Sequence, residues 1–204
     1  LFLGKVKIKL SLKILLSVIL GVGTGYFLLP SNFFQYTDII IDIGLCILLF
    51  FVGIDIGKQK NVFKEIEKMG FKILFIPFGI MVGGIGGGVI GGIILKIPIK
   101  EAAAVGSGLG WYSLSSMMIA SYSTELSAVA FLTNVVREVI ALILVPIVAK
   151  YIGYIESVSI CGATAMDTAL PVISKATDSQ TTIIAFISGI ISTVSVPILL
   201  SIIL

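Results

Sequence analysis

Apolar runs long enough to cross a lipid bilayer follow one another along this chain, and they constrain its fold more than any other feature. A helix needs about 20 apolar residues to span the hydrocarbon core. Because backbone polar groups find no water there, such runs must be helical. The sequence therefore predicts an all-α, polytopic integral membrane protein. Its seven expected membrane segments are residues 10–29, 39–56, 71–95, 102–122, 126–149, 155–174 and 181–204.

The composition of the chain supports lipid as its solvent. Hydrophobic residues make up 57% of the 204 residues and charged residues only 12%. No water-soluble domain of this size needs such a balance for its core. We expect residues 1–204 to form a single transmembrane domain. The net charge of +3 is too small to favour nucleic acid as a partner.

The cysteines and glycines do not indicate a metal or a cofactor. Cys46 and Cys161 each lie inside an apolar run, where a cysteine packs as a small hydrophobic residue. Gly86, Gly88 and Gly91 formally match a dinucleotide-binding pattern. That pattern, however, requires a preceding strand and a solvated phosphate site. The sequence therefore predicts no cofactor and no metal.

Glycines of the third apolar run recur at helical spacing and predict close packing against another helix. They occur every four residues at positions 79, 83, 87 and 91, and further glycines at positions 84, 88 and 92 lie beside them. Such spacing leaves one helix face nearly bare, so that a second backbone can approach it.

Lysines near the first apolar runs predict the orientation of the protein. Residues 5–13 contain four lysines and residues 58–72 contain five, whereas residues 31–37 contain none. Lysine and arginine accumulate on the cytoplasmic side of membrane proteins. We therefore expect the N-terminus and the loop at residues 58–72 to be cytoplasmic, in a multi-pass protein of the cell membrane.

Two of the runs contain residues that interrupt a helix. Residues 106–116 read GSGLGWYSLSS, and each of the three alternating glycines costs about 1 kcal/mol relative to alanine in a helix interior. Residues 161–171 read CGATAMDTALP, where Pro171 lacks the amide that would bond to the Asp167 carbonyl. The pattern predicts two interrupted or re-entrant helices in an inverted-repeat-like transporter, with their breaks close together.

Three ionisable residues lie in the middle of apolar runs, where a charge persists only if it is paired or faces water. Arg137 and Glu138 belong to the fifth run and Asp167 to the sixth. Asn134, Arg137 and Glu138 share one helix face, because they follow the i, i+3, i+4 spacing. We expect Asn134 to reach both charged side chains. Together these residues predict a polar site for transport.

Structural roles are the alternatives for several of these residues. An Arg137–Asp167 ion pair could serve only to hold two helices together. Trp111 and Tyr112 have the amphipathic character of residues that mark a membrane interface. Solvated helix caps are the simplest role for three aspartates at or near the ends of the second run, Asp38, Asp42 and Asp55.

Four motifs occur in a fixed order along the chain: VGIDIG at residues 52–57, GLGWYSLS at 108–115, NVVRE at 134–138 and GATAMDTALP at 162–171. In order and spacing they resemble the motifs of the lysine exporter LysO family, from about residue 35 to the end of the chain. The resemblance implies a bacterial or archaeal inner-membrane protein that exports L-lysine and toxic lysine analogues by proton antiport. Longer relatives carry additional N-terminal spans, so a homodimer or a small partner membrane chain is expected to complete the transport unit.

The candidate residues also suit lysine chemically, since lysine carries one carboxylate and two ammonium groups. Arg137, or the backbone amides of residues 162–164, suits the carboxylate, and Glu138 and Asp167 suit the ammonium groups. Burial disfavours a charged carboxylate, so a proton or a cation must neutralise it. Protons and lysine would therefore compete for Glu138 and Asp167. The other residues expected at the substrate are Asn134, Thr164, Thr168, Ser113, Ser115, Trp111 and Tyr112.

Other functions and substrates stay open at this point. An enzyme is disfavoured, because the chain has no histidine for a serine–histidine pair and residues 108–111 lack the aspartate of an intramembrane aspartyl protease. A passive channel, or a helical subunit of a larger membrane complex, is the alternative to a transporter. Arginine and ornithine are alternatives to lysine, because the same residue types would bind all three.

Overall fold

A computed structural model describes residues 2–27, 37–57 and 70–204 of the chain. Side-chain placements cover residues 12–27, part of residues 39–57 and nearly all of residues 70–204. Within these ranges the backbone is helical apart from short connections, and it contains no strand. The prediction of an all-α protein is confirmed.

The described helices follow the apolar runs closely. Two short 3₁₀ segments accompany them, Gly70–Leu74 before α3 and Gly162–Met166 between α7 and α8. In chain order the α-helices are α1 Phe2–Phe27, α2 Thr37–Gly57, α3 Phe75–Leu95, α4 Ile99–Gly106, α5 Tyr112–Ala120, α6 Thr124–Tyr151, α7 Tyr154–Ser159, α8 Leu170–Ala176 and α9 Ser179–Ile203.

Among the described residues, α3, α6 and α9 are long and apolar enough to cross a membrane. They correspond to the third, fifth and seventh predicted segments. Helices α1 and α2 cover the first two predicted segments, and α1 packs along α6 while α2 contacts α8. The total of seven membrane segments and the inverted repeat stay predictions, as does the cytoplasmic N-terminus. The lysine-rich loop at residues 58–69 lies outside the described residues.

The predicted interruptions of the fourth and sixth segments are confirmed. Residues 107–111, between α4 and α5, are the first break, and residues 160–169, between α7 and α8, are the second break. Between α4 and α5 the backbone turns at Leu109 and Gly110, whose φ angles are +49° and +99°. Glycine tolerates positive φ, whereas for Leu109 it is an unfavourable conformation that the surrounding packing must hold in place. Between α7 and α8 the chain passes through the 3₁₀ segment, and Pro171 lies in the first turn of α8. Proline is tolerated there because the first turn of a helix needs no amide donor.

Small buried residues hold the bundle together. One cluster contains Ala141 and Val145 of α6 together with Ala185 of α9, packed on the second break and α8. A second cluster joins α4, α6 and the C-terminal half of α9 around Leu109, which has no exposed surface. Short side chains let helix backbones approach closely, which is the usual basis of helix association in lipid.

The glycines of α3 divide into two stripes with different surroundings. A Cβ atom added at Gly88 would lie 2.7 Å from both the Ala102 carbonyl oxygen and the Gly106 Cα. Gly84 and Gly92 are similarly crowded, so these three glycines pack against α4 and the break that follows it. The predicted packing role is correct for this stripe. For the other stripe, at positions 79, 83, 87 and 91, it stays a prediction, because an added Cβ would meet no atom of the described residues within 4 Å.

Gly88→Ala is expected to lower stability by about 1–3 kcal/mol, because the new methyl group must push α4 away from α3. Gly86→Ala is the matched control, since a Cβ at position 86 has no neighbour within 4 Å. The thermal unfolding midpoint of each variant, measured in the same detergent, checks the difference. Equal midpoints for the two variants would contradict the close contact between α3 and α4.

Candidate functional site

The two helix breaks cross each other directly. The Ala163 amide of the second break donates a hydrogen bond of 2.9 Å to the Leu109 carbonyl oxygen of the first. A Cβ added at Gly110 would lie 3.4 Å from the Thr164 methyl carbon and 3.5 Å from the Cys161 carbonyl oxygen. The expectation that these breaks lie close together is therefore confirmed. Each break supplies a backbone partner that the other needs in apolar surroundings.

Asn134 of α6 holds the first break in position. Its Oδ1 accepts a hydrogen bond of 2.8 Å from the Gly110 amide, and its Nδ2 donates to the carbonyl oxygens of Ala130 at 2.9 Å and Val105 at 3.4 Å. The side chain is 2% exposed. Asn134 was expected to reach Arg137 and Glu138, but its hydrogen bonds go to backbone groups instead. The reason is that the positive-φ turn at Gly110 leaves an amide that has no helical acceptor.

Glu138, Asp167 and Thr168 form a cluster in which two carboxyl groups approach one hydroxyl. Thr168 Oγ1 lies 2.5 Å from Glu138 Oε1 and 3.3 Å from Asp167 Oδ1. The Thr168 amide also donates to Asp167 Oδ1 at 2.6 Å. Both carboxyl groups are partly buried. A threonine hydroxyl carries one hydrogen and can donate to only one carboxylate at a time. The second carboxylate is therefore left available to a proton or a cation.

Arg137 lies between α3 and the second break. Its Nη2 is 3.0 Å from the position of a Cβ added at Gly162, and its Nη1 is 3.9 Å from one added at Gly84. No carboxylate of the described residues forms an ion pair with the guanidinium. The structure therefore does not show the Arg137–Asp167 pair that was considered as a purely structural alternative. Glycine at position 162 therefore lets the partly buried guanidinium lie close to the backbone of the second break.

The remaining candidate residues divide between the site and its periphery. Thr164 belongs to the second break and lies next to Gly110 of the first. Its hydroxyl donates to the Cys161 carbonyl oxygen at 2.8 Å. Ser115 lies in the first turn of α5, where its hydroxyl donates a 2.7 Å hydrogen bond to the Trp111 carbonyl oxygen. Tyr112 packs edge-to-face on Phe131 of α6, with ring centroids 5.4 Å apart.

Two further predicted site residues, Trp111 and Ser113, lie away from the carboxyl groups. Trp111 packs against the hydrophobic cluster around Leu109, and Ser113 is exposed. Neither is brought into the cluster of Glu138, Asp167 and Thr168. Three side chains lie outside the described residues, those of Asp38, Asp42 and Asp55.

A cavity of about 610 Å³ opens beside the Arg137 guanidinium, between α3, α4, α6 and α7. Its polar lining includes Thr133, Asn134 and Ser159, and the open glycine stripe of α3 forms one wall. The sequence analysis did not single out Thr133 or Ser159. Thr133 lies four residues before Arg137 and therefore on the same helix face, a signal that could have identified it.

Ser188 and Ser192 of α9 form a second polar feature that sequence reasoning missed. Both are almost fully buried, and their hydroxyl oxygens have no hydrogen-bond partner among the described residues. They flank Gly189, where a Cβ would lie 2.5 Å from the Met166 amide nitrogen of the second break. Within the part of the chain whose side chains are described, no group of three histidine, cysteine or acidic side chains could hold a metal ion.

Comparison with known proteins gives consistent relationships. The family model described as "Lysine exporter LysO" matches residues 15–204. The chain is 32% identical over 192 residues to "Lysine exporter LysO" of Escherichia coli (strain K12), an alignment that covers 94% of this chain and 63% of that protein. It is 31% identical over 192 residues to a "Putative lysine exporter" of Haemophilus influenzae (strain ATCC 51907 / DSM 11121 / KW20 / Rd), covering 92% of this chain and 95% of that protein. No solved structure matches.

Asn134→Leu is expected to destabilise the protein, because the leucine leaves the buried Gly110 amide without an acceptor, at about 1–3 kcal/mol. Thr133→Val is the matched control, since it also replaces a polar side chain with an apolar one of similar shape on α6 but at an exposed position. Thermal unfolding midpoints in one detergent compare the two variants. If Thr133→Val lowered the unfolding midpoint as much as Asn134→Leu, the hydrogen bond from the Gly110 amide to Asn134 would not be the cause of the destabilisation.

Proposed function

Because the chain belongs to the lysine exporter LysO family, we propose that it takes part in the secondary active export of L-lysine and related cationic amino acids by proton antiport. One observation carries the proposal. Glu138 and Asp167 share the Thr168 hydroxyl at the place where two interrupted helices cross. Both relatives are named as lysine exporters, the second of them as putative. The chain spans only 63% of the length of the Escherichia coli relative.

The substrate-binding roles follow from charge and position. We assign the two carboxyl groups to the ammonium groups of lysine and Arg137 to its carboxylate, since charge-assisted hydrogen bonds are the strong ones. An arginine fork can bind a carboxylate through two parallel hydrogen bonds. Thr168 and Thr164 complete the polar surroundings. Asn134 acts by holding the first break in position, where its amide group bonds to Gly110.

Competition between protons and lysine supplies the coupling. A partly buried carboxylate without a counter-charge is unfavourable, so the pair must bind either a proton or a substrate cation. On the cytoplasmic side, where protons are scarcer, the carboxylates bind lysine. On the outer side, a higher proton concentration displaces it. Each inward proton movement then drives export of the amino acid, without any covalent chemistry.

The membrane setting and the assembly belong to the same proposal. The protein resides in the cell membrane with a cytoplasmic N-terminus, and a homodimer or a small partner membrane chain completes the transport unit.

Asp167→Asn is expected to abolish coupled transport while the protein still folds, because an amide keeps the shape of the side chain but cannot exchange a proton. Asp178→Asn is the matched control. Asp178 is an exposed N-cap whose side chain accepts from the Thr181 amide, and asparagine caps helices equally well. The measurement is lysine flux in proteoliposomes under an imposed pH gradient.

Three results of this assay would count against parts of the proposal. Wild-type flux from Asp167→Asn with unchanged pH dependence would remove Asp167 from the coupling mechanism. Lysine flux of the unsubstituted protein that ignores the pH gradient would indicate a passive channel. The absence of any flux, with correctly inserted protein, would favour a structural subunit of a larger complex.

A further inference from the structure

Helix packing among the described residues accounts for only three of the eight glycines in α3. The stripe at positions 84, 88 and 92 is in contact with α4 and the first break, where an added Cβ would collide with neighbouring atoms. At positions 79, 83, 87 and 91, an added Cβ would have no atom of the described part of the chain within 4 Å. A helix that only needed to pack against α4 would require glycine on one of these faces. The open stripe therefore calls for a separate explanation.

The open stripe faces a row of α6 side chains across the cavity. Val129, Thr133 and Arg137 line the opposite wall at intervals of four residues, so they form one ridge along α6. The first and last of the four glycines are twelve residues apart in α3, a length of about 18 Å at the helical rise. The cavity volume of about 610 Å³ lies within the range of about 300–1,000 Å³ that is typical of small-molecule sites.

Arg137 shows which kind of ligand this space suits. Of the described residues that line the cavity, it alone carries a charge. Its guanidinium has no hydrogen-bond or ion-pair partner in the described part of the chain. A partly buried cation without a counter-charge favours an anion small enough to enter beside it.

We propose that the open glycine stripe of α3 forms one wall of a passage through which the carboxylate end of the amino-acid substrate reaches Arg137. The inference rests on the proposed export function and extends it, because it assigns the route and the reason for the glycines. Any larger side chain at these positions would project into the passage. Glycine keeps it wide next to a cation.

The same glycine spacing would also suit an apolar helix from another chain. Such a helix would enclose the Arg137 guanidinium in apolar surroundings, and an uncompensated buried charge is strongly destabilising. A small carboxylate neutralises that charge. The structure therefore favours a substrate passage over a helix-docking groove.

Gly87→Leu and Gly86→Leu form a matched pair that tests the passage. Both positions have open space around an added Cβ, but only position 87 lines the cavity. In proteoliposomes we expect Gly87→Leu to lower lysine flux by about tenfold or more, because the leucine keeps the substrate away from its binding group. Gly86→Leu is expected to retain wild-type flux, and both variants should match the unsubstituted protein in thermal stability and oligomeric size.

Either of two results from this pair would overturn the passage. One is wild-type flux from Gly87→Leu. The other is a smaller oligomer for Gly87→Leu than for Gly86→Leu, which would identify the stripe as a surface that docks another helix.

A second measurement does not depend on lysine transport. Gly87→Cys and Gly86→Cys are made in a protein whose native cysteines, Cys46 and Cys161, are replaced by alanine. Each is treated with the anionic, water-soluble reagent sulfonatoethyl methanethiosulfonate. We expect the cysteine at position 87 to react about tenfold faster or more, since it borders an aqueous space beside a cation. Adding Arg137→Gln should remove most of that advantage.

The labelling result separates the two levels of the proposal. Fast labelling at position 87 in a protein that exports no lysine would support the passage but would reject lysine as its substrate. Equal labelling rates at positions 86 and 87 would overturn the passage, even if lysine export is observed.

Discussion

Each helix break within the membrane releases backbone groups that must find partners away from water, and the arrangement of the bundle follows from this requirement. The Gly110 amide bonds to Asn134, and the Leu109 carbonyl oxygen accepts from the Ala163 amide. These two hydrogen bonds connect the first break to α6 and to the second break. Because each break needs the other, their crossing point is a position that the fold specifies strongly.

The crossing point also determines where the charged residues lie. Helix α6 carries Arg137 and Glu138, which lie beside different parts of the second break. Glu138 lies against Thr168 and Asp167, and Arg137 lies against the glycines at positions 84 and 162. Opposite charges on adjacent residues thus face separate surroundings, one acidic and one open. An amino acid with a carboxylate at one end and an ammonium group at the other is complementary to such a division, which supports the proposed export of a cationic amino acid.

Residue pattern alone was sufficient for the helical class, for the three long spanning helices of the described residues and for both interruptions. These features depend on local properties: the length of an apolar run, the conformational freedom of glycine and the missing amide of Pro171. Pattern also identified Glu138, Asp167 and Thr168, because an ionisable or polar residue inside an apolar run is unfavourable enough to stand out. Their shared hydroxyl was not foreseeable, since it depends on how α6 meets a break thirty residues further along the chain.

Tertiary structure decided the role of residues whose type permits several. Asn134 could have paired with Arg137 or with Glu138, and only the position of the first break directs it to the Gly110 amide. Seven glycines with the same helical spacing divide into a packed stripe and an open one, because α4 covers one side of α3 and leaves the other bordering the cavity. Periodicity records which residues share a face of a helix, but what lies opposite that face depends on the placement of other helices, which is set by packing across the whole bundle.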